Sequence, residues 1–180
     1  MTTVGITGAG LVGTLRLTWV TDELAHVLQH AGHDEPAGIW IGPACADHGL
    51  TVGSDVDPAA FRRLSADGEI ADLIWEAPGD LAAEHNQAHE AAMLAYQAGN
   101  EVIAEYEWNQ LQAVWSRAWA ANCAAIEFMQ GAGLTRLSPV KPQRWVVASF
   151  EHHCGPHGVQ HPHVHNVIAA VDVAGDPNLA

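Results

Sequence analysis

The chain has 180 residues, enough for one domain with a sizeable core, and its 48% hydrophobic content excludes a disordered polymer. Seven Lys and Arg against 21 Asp and Glu leave a formal net charge of −14. That balance argues against tight autonomous binding to DNA, whose affinity is drawn largely from cationic contacts to phosphate.

No apolar run approaches the roughly 18 residues of a membrane span. The start, Met1-Thr2-Thr3-Val4-Gly5, lacks the basic segment of a signal peptide. Cys45, Cys123 and Cys154 are scattered and form no CxxC pair. The expectation is a single domain over residues 1–180, in a reducing cytoplasm, with no membrane partner.

The first twenty residues hold the spacing Gly8-x-Gly10-x-x-Gly13, a superficial dinucleotide fingerprint. That fingerprint needs a helix after it, but Leu15 to Val20 alternates like a strand and no second βαβ unit follows. A glycine-rich loop between two strands is the better reading. Thr21-Asp22-Glu23-Leu24 opens a helix to about Gln29, with a cap and an acidic first turn. Residues 30–54, rich in Gly, Pro, His and Asp, read as loop. Asp57 as N-cap and Pro58 at the first helical position start a short helix ending near Leu64.

Glu69 to Glu76 reads as a strand, closed by Pro78-Gly79. From Asp80, its expected N-cap, an alanine-rich helix runs to roughly Trp108 or Trp119. Gly99-Asn100 breaks it, so two consecutive helices are expected. Trp145–Phe150 and His163–Val173 are the last two strands, and the tail after Gly175 is a turn.

Six of the twelve histidines lie between His152 and His165. His163 and His165 are two apart in a strand, so alternation puts both imidazoles on one face. His152 closes the preceding strand. Two adjacent antiparallel strands then bring three imidazoles together, the protein's share of a divalent metal site with an open position. His153, His157 and His161, in or beside the loop, read as solvated residues or as competing ligands, and Cys154 reads as an incidental loop cysteine ahead of a ligand for a soft metal such as zinc. His85 and His89, at i and i+4, have a spacing that can hold zinc, but with Glu84 and Glu90 beside them a solvated helix face is the plainer reading. Trp108, Trp115 and Trp119 form one helical stripe, read as core packing rather than a base-stacking platform.

The segment Phe150-x-His152, the loop, and Gln160-His161-Pro162-His163-Val164-His165 with its apolar continuation resemble the metal motif of the HUH endonucleases. The likeness is greatest to conjugative relaxases of the TrwC/TraI type. Upstream, Glu35–Trp40 and His48–Leu64 are similar to that family's N-terminal segment, Ala71–Pro78 to its central strand, and Ala88–Ala92 to the start of its long helix. The blocks keep the family's order from about residue 35 to 170. The departures are specific. The family's nucleophile is a tyrosine near the N-terminus, yet residues 1–95 contain none, and the only two tyrosines are Tyr96 and Tyr106. The chain also stops soon after the His-x-His strand, as a truncated relaxase would.

The resemblance implies an α+β fold, an antiparallel sheet with helices packed on one face. It implies a divalent metal (magnesium, manganese or zinc) on His152, His163 and His165. It gives Asp72 the place of the aspartate that orients a ligand histidine or takes the nucleophile's proton. The implied partner is single-stranded DNA at an origin of transfer, bound weakly given the charge, along with other mobilisation proteins. The implied activity is DNA nicking in plasmid or mobile-element transfer. Two other readings stand beside it. One is a non-catalytic relative acting as a metal-binding or interaction module. The other is a metal-dependent hydrolase in which water attacks and Asp72 or Glu76 is the general base.

Overall fold

The computed structural model describes residues 2–8, 11–20, 37–65, 70–132, 143–154 and 160–173. Its strands are β1 Thr2–Gly8, β2 Leu11–Val20, β3 Ile39–Ile41, β4 Ile70–Glu76, β5 Gln143–Cys154 and β6 Gln160–Val173. Its helices are α1 Pro58–Ser65, α2 Gly79–Gln97 and α3 Glu101–Ala132. The strands form one sheet in the order β1-β2-β4-β6-β5-β3, and every pairing is antiparallel. The fold is therefore α+β, as expected. The N-terminal glycines serve a β1–β2 hairpin, so the dinucleotide-binding reading falls. The helix expected over residues 21–29 lies outside the described residues.

Alternation along the central strands separates two cores. Leu73 and Trp75 of β4, Val164 and Ile168 of β6, and Trp145 and Val147 of β5 face α3, where Ala118, Ala125, Ile126 and Met129 meet them. The opposite parity, Val146, Ala148, Phe150, Val167 and Ala169, packs with Trp40 of β3 and Ala60 and Phe61 of α1. Trp40, Trp75 and Trp145 are fully buried. Truncating any one to Ala removes a volume whose loss costs roughly 3–5 kcal/mol. The two long helices thus cover one face, and the short α1 with the β3 edge covers part of the other.

The local chemistry explains the helix ends. Asp57 accepts from the Ala59 and Ala60 amides at 3.1 and 3.2 Å, capping α1. Gly99 takes φ 71°, and the Asn100 side chain accepts from the Ile103 amide at 3.2 Å, so the expected break both ends α2 and caps α3. Asp80 is not the cap of α2. The helix begins at Gly79 after an extended Pro78, and Asp80 sits in its first turn.

Three expectations on element extent are corrected. The loop reading of residues 30–54 fails at Ile39–Ile41, which pairs with β5, and at a 3-10 turn over Cys45–His48. A three-residue edge strand is too short to show alternation and is recruited by the long β5 beside it. The turn after it needs Gly42, at φ 110°, because a Cβ there would run into the Trp145 carbonyl oxygen. Helix α3 continues to Ala132, since nothing before Gly131 stops it. Strands β5 and β6 extend to Cys154 and back to Gln160, which puts His153, Cys154 and His161 in strands rather than in a loop. Among the described residues no helix is long and apolar enough to cross a membrane.

Candidate metal centre

The ladders bring the expected site residues together. His152 pairs directly with His163, and His163 with Glu76, so one row across the sheet reads Glu76–His163–His152. The next row is Ile74–His165–Phe150, and the third sets Asp72 opposite Val167. Asp72 therefore lies diagonal to His165, within reach of a side chain. All four share the face opposite α2 and α3.

The ring centroids of His152 and His165 are 4.9 Å apart, those of His163 and His165 5.1 Å, and those of His152 and His163 5.3 Å. His165 donates from Nδ1 to Asp72 Oδ2 at 2.7 Å, and His163 donates from Nδ1 to the His161 carbonyl, also at 2.7 Å. A carboxylate or carbonyl oxygen only accepts, so Nδ1 carries the proton in both rings. Each Nε2 then keeps a lone pair, the arrangement that holds a ligand histidine in place. Burial pushes the His163 imidazole below its ordinary value. The His161 carbonyl bond and Glu76 oppose that shift in part, while His165 and His161 add to it. The neutral ring is the form a metal ligand needs.

Asp72 is only 4% exposed, and its Oδ1 is buried with no hydrogen-bond partner among the described residues. A buried carboxylate with one oxygen unsatisfied is costly. It is retained most readily where a charged or proton-bearing group comes and goes. This donor set suits a divalent ion: imidazole nitrogens with a carboxylate behind them favour zinc and neighbouring transition ions over magnesium. As the side chains stand, however, no group of three His, Cys, Asp or Glu among the described residues is arranged to hold a metal ion. The His152 and His163 rings lie 20° from parallel and stacked rather than aimed at one point.

A buried network fixes β6 from behind. Asn166 Nδ2 donates to the Leu73 carbonyl of β4 at 2.9 Å and to Asn122 Oδ1 of α3 at 2.8 Å. Asn166 Oδ1 accepts from Ser149 of β5 at 2.8 Å. One side chain between His165 and Val167 thus ties three strands and a helix in register. Its sequence signal was a lone Asn inside an apolar strand.

Other candidates fall elsewhere. His85 is 1% exposed, not solvated; its ring meets Trp115 edge-on, and burial lowers its pKa. An alanine-rich helix hides its buried face, so the pair of histidines looked polar. Trp115 and Trp119 pack against the α3-side core, but Trp108 is exposed and meets only the edge of His89 among the ring contacts. Among the cations, Arg144 is engaged by Asp47 and by the Pro43 carbonyl, both at 2.6 Å. Arg62 and Arg63 are exposed on α1, and Arg136 and Lys141 lie outside the described residues, as does His157. A cavity of about 620 Å³ between β3 and α3, lined by Ile39, Ile41, Trp119 and Ile126, is on the other face and is not part of this site.

Comparison with known proteins places the fold in a class: it is relaxase-like. The particular neighbour is the conjugative relaxase TrwC, solved in complex with oriT DNA. Its metal-bound structure matches with a TM-score of 0.52 at 18% identity, covering 86% of this chain and 56% of that one. Its copper-bound structure gives 0.49 at 17% identity, covering 92% and 63%. The chain thus spans little more than half the length of these relaxase chains. No family model and no curated protein matches the sequence.

Proposed function

We propose that this chain is a relaxase-like domain of plasmid or mobile-element DNA transfer that binds a divalent metal through His152, His163 and His165. The observation that carries the proposal is the pair of fixed tautomers: His163 and His165 both present Nε2 beside His152 on one sheet face. Those three histidines would hold the ion, which when bound would supply Lewis-acid polarisation to a phosphate of single-stranded DNA for nicking. Asp72 holds the His165 tautomer through Oδ2. Asp72 and Glu76 put carboxylates beside the three histidines, a charge that a divalent cation would offset as a phosphate approaches.

A second reading, a non-catalytic relative serving as a metal-binding and interaction module, has a specific observation in its favour. Tyr96 ends α2 and Tyr106 lies early in α3, both exposed, on the helices that cover the face opposite the histidines. Neither sits beside the proposed metal. In the metal-dependent hydrolase, water replaces tyrosine and Asp72 or Glu76 is the base.

Calorimetric titration with zinc or manganese tests the proposal. Wild type binds one equivalent, and a His163→Ala/His165→Ala variant binds none; unchanged binding in that variant moves the site elsewhere. Anisotropy of a labelled single-stranded oligonucleotide should show weak binding that a chelator removes. Nanomolar binding with chelator present, at physiological salt, contradicts the charge argument.

A further inference from the structure

The outer half of the α2–α3 hairpin stands apart from the sheet. The α3 residues that join the sheet-facing core begin with Trp115 and Ala118. Before them Ala104, Leu111 and Val114 are buried, as are Ala88, Ala92 and Ala95 of α2, yet none of these six belongs to either sheet-centred core. Alanine-rich packing of two helices buries little area. It leaves the larger apolar side chains outside.

Six of the eight exposed large hydrophobic residues in the described chain fall between positions 94 and 108: Leu94, Tyr96, Val102, Ile103, Tyr106 and Trp108. Val102 is 79% exposed and Tyr106 59%, and with Ile103 they stand at i, i+1 and i+4 on one side of α3. Leu94 and Tyr96 stand in the last turn of α2, just before the tight turn at Gly99. Single exposed apolar residues are ordinary, but a cluster of this kind marks a contact surface.

Charge selects the occupant. No Lys or Arg occurs from Leu64 to Ser116. Over the same hairpin stand Asp80, Glu84, Glu90, Glu101, Glu105 and Glu107. The nearest cation, Arg117, is already paired with Glu84 at 2.5 Å. DNA, an anionic membrane and a second copy of this acidic hairpin would each bring like charge to the surface. We propose that the hairpin tip, Leu94–Trp108, docks a cationic amphipathic helix of a partner protein. Its apolar stripe lies on Val102, Ile103 and Tyr106, and its Lys or Arg residues meet Glu101, Glu105 and Glu107. An amphipathic helix is thus recognised by an apolar stripe with complementary charge at its rim.

The probe is a labelled 18-residue Leu/Lys peptide with its leucines on one helical face, titrated by anisotropy against the full chain. Micromolar binding is expected, weakening several-fold from 50 to 300 mM salt. A Val102→Ser/Ile103→Ser/Tyr106→Ser variant, checked for an unchanged melting temperature, should bind at least tenfold more weakly. A Glu101→Gln/Glu105→Gln/Glu107→Gln variant, which keeps the apolar stripe, should lose several-fold and most of the salt dependence. Equal binding by the serine variant, or by a peptide of the same composition with scrambled leucines, overturns the proposal. So does a dimer of the chain alone that the serine variant abolishes, since the surface would then belong to a second copy. The His163→Ala/His165→Ala variant should bind the peptide as wild type does.

Discussion

Asp72→Asn separates the orienting role of the carboxylate from its bulk. The side chain keeps its size, but a neutral amide faces His165 Nδ1 at the 2.7 Å contact. Either the amide oxygen accepts, giving a weaker neutral bond, or the amide nitrogen turns inward and forces the proton onto Nε2, blocking the ligand position. Loss of such an outer partner typically lowers metal affinity 10–100-fold, about 1.4–2.7 kcal/mol. Stability should move the other way or not at all. The variant removes a buried charge, 4% exposed, whose second oxygen has no partner among the described residues. The assay is zinc titration by calorimetry alongside urea unfolding, with nitrogen-15 NMR to read the His165 tautomer. Zinc affinity within twofold of wild type, with the Nδ1–H tautomer intact, would refute the reasoning.

Three further outcomes are expected. Asn166→Leu leaves Asn122 and Ser149 without their shared partner, so urea unfolding should show a loss of roughly 2–4 kcal/mol; a loss below 1 kcal/mol would show the network is dispensable. The folded pKa of His85 is lowered by burial, so the unfolded chain takes up its proton first as pH falls through the ordinary value of 6.5. Stability should therefore decline below that pH, and His85→Phe should flatten this part of the pH–stability curve; an unchanged slope contradicts it. Incubation with a single-stranded origin-like oligonucleotide and manganese should give no tyrosyl–DNA adduct. An adduct mapped to Tyr96 or Tyr106 makes the chain a relaxase with a relocated nucleophile, and cleavage without adduct points to the hydrolase.

The strands that carry the site were legible because their chemistry alternates. Trp145 to Phe150 and His163 to Val173 show the period of two, and the histidine parity follows from it. The ladder extension past His152 to Cys154 was not legible, nor was the register that sets His152 opposite His163. A pairing partner, not propensity, holds those residues extended. The break at Gly99-Asn100 was plain because glycine and a capping side chain announce themselves. Strand β3 stayed hidden for lack of length, and the buried face of α2 because alanine gives it no contrast. That Asp72 orients a ligand histidine came from resemblance, and the structure makes that histidine His165. The geometric basis, a diagonal across the β4–β6 ladder, needs the register.

X-ray absorption spectroscopy of the zinc-loaded protein reads the proposed centre most directly. The account predicts three imidazole nitrogens at about 2.0–2.1 Å plus an open position filled by solvent, and no such spectrum from the His163→Ala/His165→Ala variant. A sulfur ligand at about 2.3 Å, or a spectrum unchanged in that variant, would contradict it.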